Sequence, residues 1–412
     1  MRGALILFAL ILTLSDSTAR ANPLQDRRAC FNLELTPAVI LDVCTRVIRS
    51  KQVNQNDLAV ALNNRGVAHY DRGQWQQALE DFNRAIELKP DYAKAITHRG
   101  AAYSRMGKHD RAIEDHNEAI RLREDYAEAY TYRGAAYLEK NLVEPAIADF
   151  NEAIRIKPDY AEPYANRGAA FIRMRMWSVA LEDLNVAIRL NPDFPYALSN
   201  RGVALSKRGE FRRAIEDFDN AAILHPDDPQ VLNNRGVTYL LMGVLDKAIS
   251  DLDESIRLKS DRADTFKNRG DAHLAQRKWD LAISDYVEAI RLNPDFVQAM
   301  INLGGAYANT GQWNESINWL GKAIDLDSSR ADAFGSRGAA FVKTEQWERA
   351  FADFEQAIRL NASDPRAYVN RGFAYEATGE PGKALDDYKK AVALGFWHAD
   401  VLKKIQKLSS TK

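Results

Sequence analysis

Cysteine is scarce in this chain: two residues among 412, Cys30 and Cys44. Two thiols with no nearby histidine are too few ligands for a structural zinc site. The seven histidines scatter over separate stretches, at His69, His98, His109, His116, His225, His273 and His398. His69 and His273 take a place held elsewhere by Tyr103, Tyr137 or Tyr239, which marks them as packing residues. His98 and His116 share one 34-residue stretch, without a third ligand type. A glycine-rich phosphate loop, a nucleophile elbow and an HExxH pair are all missing. Paired carboxylates occur only because charged helix faces are abundant. No catalytic residue, cofactor site or metal site emerges, so the chain reads as non-enzymatic. Charge of one sign is lacking too: 56 basic and 57 acidic side chains leave a formal net charge of −1. That balance offers no general attraction for nucleic acid or for an acidic membrane surface.

Long apolar runs are also few. The run Ala4 to Leu14 holds eleven residues, short for a membrane span. Arg2 precedes it, and Ala19-Arg20-Ala21 follows as a small-x-small cleavage site. Residues 1–21 therefore read as a secretory signal peptide, an uncleaved anchor being the alternative. No membrane association is expected once the signal is removed. The expected location is outside the cytoplasm, periplasmic or secreted. An even cysteine count beside an export signal reads as a disulfide between Cys30 and Cys44. The alternative is two unrelated buried thiols.

What the chain does have is a period. A glycine recurs every 34 residues, ten times without insertion or deletion, from Gly66 through Gly100 and onward to Gly372. Such a period marks stacked helix–turn–helix units that share a core because none can bury its apolar face alone. Repeat 1, residues 59–92, predicts a helix from Ala59 to Arg72, a turn at Gly73 and Gln74, and a helix from Trp75 to Leu88. Ala78, Phe82 and Ala85 share one helix face at spacings of four and three. Pro90 stops the second helix, and Asp91 is placed to cap the next one. A helical glycine costs about 1 kcal/mol relative to alanine. Its ten recurrences imply a steric need for close helix approach. Five of the seven tryptophans, Trp75, Trp177, Trp279, Trp313 and Trp347, open second helices, where packing explains them better than ligand stacking.

These features resemble the tetratricopeptide repeat (TPR) family over residues 59–398. The matching elements are the recurring glycine, the turn glycine, the two alanines, the aromatic between them and the closing proline. The resemblance implies an all-α fold, a right-handed superhelix (solenoid) of ten 34-residue units whose first helices line the concave side. Residues 22–58 would form a capping segment stapled by the disulfide, with 38–50 resembling the second helix of a degenerate leading unit. Residues 399–412 would form a C-terminal capping helix with a lysine-rich outer face. A paired-cysteine leader before such an array resembles exported bacterial TPR proteins.

One departure from the family pattern is informative. Arginine precedes the glycine in nine repeats, among them Arg65 and Arg201. Sixteen residues further on the same nine carry aspartate, among them Asp81 and Asp217. Repeat 8 lacks both and has Leu303 and Trp319. Joint loss is what a contact pair predicts, because a lone buried charge is costly and an apolar pair is not. Whether the pair closes within a repeat or between neighbours stays open at this level.

Two residues before the glycine stands asparagine in seven repeats: Asn64, Asn166, Asn200, Asn234, Asn268, Asn302 and Asn370. Asparagine is a mediocre helix former, so the recurrence wants a reason. An amide can both donate to and accept from one peptide unit. The pattern resembles the asparagine ladders of the TPR superhelix in O-GlcNAc transferase, which hold extended peptides by their backbones. The alternative is that the amides bond a neighbouring helix or face water. A carboxylate clamp fits poorly: Lys267 and Asn302 match it in part, but Asp271, Asp332 and Ser336 fall where an asparagine and basic residues belong. The expected function is a protein-protein interaction module that takes an extended peptide or partner protein in the concave groove. The alternative is an assembly scaffold using the convex face or the ends. The oligomeric state is unknown from sequence.

Overall fold

The computed structural model describes residues 23–32, 34–50 and 53–410. The expected signal segment lies outside the described residues. Those residues form 23 helices and no strand, so the all-α repeat class holds. Their contacts divide the chain into two compact bodies, with the boundary between Pro192 and Asp193. The boundary falls in a proline-rich turn: Pro192 follows the helix Trp177–Leu190, and Pro195 opens the next helix at its first position.

The N-terminal body holds two leader helices, Pro23–Cys30 and Pro37–Arg49, then repeats 1 to 4. The C-terminal body holds repeats 5 to 10 and the helix Ala399–Ser409. In repeat 1 the first helix begins at Gln55, a turn before the expected Ala59, because Asn54 caps it by accepting from the Asp57 amide at 2.8 Å. The expected cap at Asp91 is not formed. Tyr92 occupies that place before the helix Ala93–Arg105, which leaves Asp91 too early for its carboxylate to reach the free amides. Asp228 and Asp364, directly before helices that start at a proline, do cap.

The recurring glycine answers to a side chain of its own repeat. A Cβ on Gly66 would stand 2.6 Å from the Phe82 ring, and one on Gly304 would stand 2.6 Å from Leu320. The inter-helix turn is equally constant. Its middle residue has positive φ in all ten repeats, including Asn141, Arg175, Arg277 and Glu345, which are not glycine.

Within each body, every second helix packs on its own first helix and on the first helix of the next repeat. Successive first helices also touch, as Pro195–Lys207 does Pro229–Leu241 and Val297–Asn309 does Ala331–Lys343. The first helices therefore form the closer-set row of the stack.

At the N-terminal end a disulfide joins Cys30 to Cys44, both fully buried. The helix Pro37–Arg49 packs on Gln55–Asp71. At the other end Val401 is buried against repeat 10. The lysines of that last helix are not all outward: Lys404 turns in to Glu376 at 2.5 Å, while Lys403 and Lys407 are exposed.

Candidate interaction surface

The nine arginine–aspartate pairs form, and all close within a repeat. Each arginine lays two parallel N–H bonds on one carboxylate, an arrangement suited to its planar fork. Arg65 reaches Asp81 at 2.8 and 2.6 Å, and Arg201 reaches Asp217 at 2.8 and 2.7 Å. The aspartates are buried. In several repeats the remaining guanidinium nitrogen bonds the second helix of the repeat before: Arg99 donates to Asn83 at 2.9 Å, and Arg235 to Asp219 at 2.7 Å. Arg65 does the same to Thr45 at 3.3 Å, on the leader helix. One arginine thus ties together second helices of neighbouring repeats. Burial pushes the Asp115 and Asp149 carboxyls up, even though their arginines favour the charged form. In repeat 8 Leu303 is fully buried and Trp319 packs on the same apolar cluster. These pairs build the scaffold and leave the first-helix row to other residues.

The asparagines divide by environment. Asn64 is not available to a ligand: it is buried, and its amide donates to the Cys30 carbonyl at 3.0 Å. The leader helices cover it, which the pattern of later repeats could not foretell. Asn268 donates to Asn233 at 3.0 Å, and Asn302 to Asp271 at 2.7 Å, each acceptor lying on the preceding first helix. Those two donors are engaged helix to helix. Asn200 donates to its own helix at the Tyr196 carbonyl, 2.9 Å away. Asn234 accepts from Gln230 at 2.8 Å. Asn166 and Asn370 are half-buried on their first helices.

Three cavities of the C-terminal body open mainly between successive first helices. One of about 340 Å³ is lined by Tyr196, Ser199, Asn200, Gln230 and Asn234 among others. A smaller one of about 100 Å³ adds Val203, Val237 and Thr238 beside Asn234. The third, about 250 Å³, lies among Gly305, Gly335, Ser336, Ala339 and Asn370, with Ser316 on its wall. Three of the expected asparagines, Asn200, Asn234 and Asn370, therefore line cavities. Gly305 and Gly335 were not expected from the sequence, and Ser316 stood out there only as the exception to a recurring alanine. Their signal was present as departures from the repeat: a second glycine in two adjacent first helices, and a serine in an alanine place.

His98 and His116 pack inside repeat 2, whereas His225 and His398 are exposed. His116 is fully buried, and burial holds its pKa down to about 3. Burial, then the nearby Lys94, holds His98 at about 4. Among the described residues no three histidine, cysteine or acidic side chains gather as a metal site would require.

Models of the tetratricopeptide repeat match residues 59–92, 200–263, 267–331 and 365–394, and a TPR repeat model matches 105–141, 134–174 and 338–379. Comparison with curated protein sequences found no match. Among solved structures the chain is similar to the APC/C hetero-tetramer Cut9–Hcn1, at 14% identity over 93% of this chain and 95% of that one, with a TM-score of 0.55. It is similar also to the human IFIT1 dimer with m7Gppp-AAAA, at 17% identity over 91% of this chain and 94% of that one, TM-score 0.51. At such identities the likeness is one of fold.

Proposed function

This chain belongs to the tetratricopeptide repeat family, and we propose that it is a non-enzymatic module that holds an extended polypeptide along its first helices. The observation that carries this reading is the placement of the cavities. Three of them lie between successive first helices, spaced along the row and lined by Asn200, Asn234 and Asn370, whereas a wider, more open one of about 580 Å³ lies on the second helix Leu245–Leu258 and has no recurring asparagine on its wall. Small neighbours such as Val203, Val237 and Ala339 leave room for a backbone to approach. Asn200, Asn234 and Asn370 would each offer an amide to one peptide unit, with Asn166 in the equivalent place in repeat 4. Contacts of that kind read backbone and tolerate many sequences.

Changing Asn200, Asn234 and Asn370 together to alanine tests this. Each net hydrogen bond contributes about 0.5–1.5 kcal/mol, so binding of an unfolded model polypeptide should weaken by about 1.5–4.5 kcal/mol. Thermal unfolding should be unchanged or slightly raised, since alanine is the better helix former. Unchanged affinity with lost stability would refute the reading.

A second reading, an assembly scaffold that uses the opposite face or the ends, draws on Asn64, Asn268 and Asn302. Their donors are spent inside the chain. We also propose export, with cleavage after Ala21. A disulfide at Cys30–Cys44 suits an oxidising compartment. Intact mass of the protein from its host tests this; a chain still beginning at Met1 would refute it.

A further inference from the structure

The first helices of repeats 8 and 9 each carry a glycine outside the recurring place. Gly305 lies inside the helix Val297–Asn309, and Gly335 inside Ala331–Lys343. Glycine is unfavourable in a helix interior, second only to proline. Gly304 and Gly338 have a reason, because a Cβ there would strike Leu320 or Phe354. Gly305 and Gly335 have none: a Cβ on either would find no heavy atom within 4 Å. No packing inside the chain calls for them. What they do is open the cavity of about 250 Å³ shared with Ala308, Ala339 and Asn370.

The wall of that cavity carries a second anomaly. Ser316 stands where the other nine repeats have alanine. It is fully buried, and its hydroxyl has no hydrogen-bond partner. Ser255, which replaces the other recurring alanine in repeat 6, donates to the Pro229 carbonyl at 2.7 Å. A buried hydroxyl left unpaired is unfavourable unless an arriving group pairs with it. The charges at the rim are paired, Arg330 with Asp332 at 2.6 Å and Arg366 with Asp364 at 2.9 Å. The mouth thus favours an uncharged occupant.

We propose that this cavity is an anchor pocket for a tyrosine or tryptophan side chain of the bound polypeptide, an inference that rests on the groove reading above. An apolar cavity of roughly 150 Å³ takes a benzene ring. The larger space here takes a phenol or indole ring. Ser316 and Asn370 supply polar partners for the O–H or N–H that tyrosine and tryptophan carry and phenylalanine lacks.

The test uses the full chain and synthetic peptides of serine, glycine and threonine with one central residue varied among Tyr, Trp, Phe, Leu, Lys, Glu and Ala. Fluorescence anisotropy should show the Tyr and Trp peptides binding at least about tenfold more tightly than the Ala peptide. Gly335→Leu fills the cavity with a better helix former and should bring all peptides within about twofold of one another. Ser316→Ala restores the residue of the other repeats. It should keep ring binding and erase the advantage of Tyr over Phe. Thermal unfolding of both variants confirms that they fold. Peptides that bind without aromatic preference, or a preference that survives Gly335→Leu, overturn the pocket and leave the groove reading standing. Wild-type protein that ignores every peptide overturns both.

Discussion

His116 lies on Gly100 as Phe82 lies on Gly66: a Cβ on Gly100 would stand 2.6 Å from the imidazole. An ionisable ring thus fills an apolar place in the core of repeat 2, with both nitrogens unpaired. The groups around it, Arg133 and His98, add further repulsion to a proton.

Acid should therefore loosen the N-terminal body. The folded pKa of His116 is depressed to about 3 from an ordinary 6.5, so the unfolded chain takes up the proton first. Stability from the neutral ring is fully present above about pH 6.5 and is lost as pH falls toward 3. At pH 5 the loss is about 2 kcal/mol. His116→Phe should remove that part of the pH dependence. Denaturant unfolding of both proteins at pH 7.5 and pH 5 checks it; equal pH slopes would count against the account.

Arg201→Leu should strand the Asp217 carboxylate, only 6% exposed, at a cost of about 3 kcal/mol. Adding Asp217→Trp copies repeat 8, where Leu303 and Trp319 pack together, and should recover much of that loss. A double-mutant cycle reads the coupling. A coupling energy near zero would mean the charges act independently.

Glu345→Gly should stabilise repeat 9. Glu345 holds φ of 58°, in the turn position that Gly311 and Gly379 fill in the adjoining repeats. A residue with a Cβ pays about 1–2 kcal/mol there. Thermal unfolding should shift upward; a lower midpoint would mean the Glu345 side chain makes a contact worth more than the strain.

Reduction of Cys30–Cys44 should fray the leader and repeat 1 first. The closed loop spans 14 residues, which stabilises by roughly 3 kcal/mol in the chain-entropy model. Because repeats contact only their neighbours, the loss should stay local. Hydrogen exchange with and without reductant checks this: faster exchange at Pro37–Asp71 and none in repeats 5 to 10 is expected. Uniform loss of protection would contradict it.

The helix pairs were legible because stacking imposes the same contact ten times, so Gly66 and Arg65 each announce themselves by recurrence. Features made once were not legible in that way. Asn64 looked like every other asparagine, yet the leader helices bury it under Cys30. Asp91 has a capping residue type, but the helix start at Ala93 lies beyond its reach. Gly305, Gly335 and Ser316 break the pattern in neighbouring repeats. Recurrence marks Ser316 as an exception but assigns it no role, and only the packing shows that the three together outline a cavity.

The most direct test of groove binding is to place a photoreactive side chain at Val237, on a first helix, and separately at Ser250, on the second helix of the same repeat. Each protein is then irradiated with an unfolded model polypeptide. The account predicts cross-links from Val237 and none above background from Ser250. Cross-links from Ser250 alone would contradict it and move the interaction surface to the second helices.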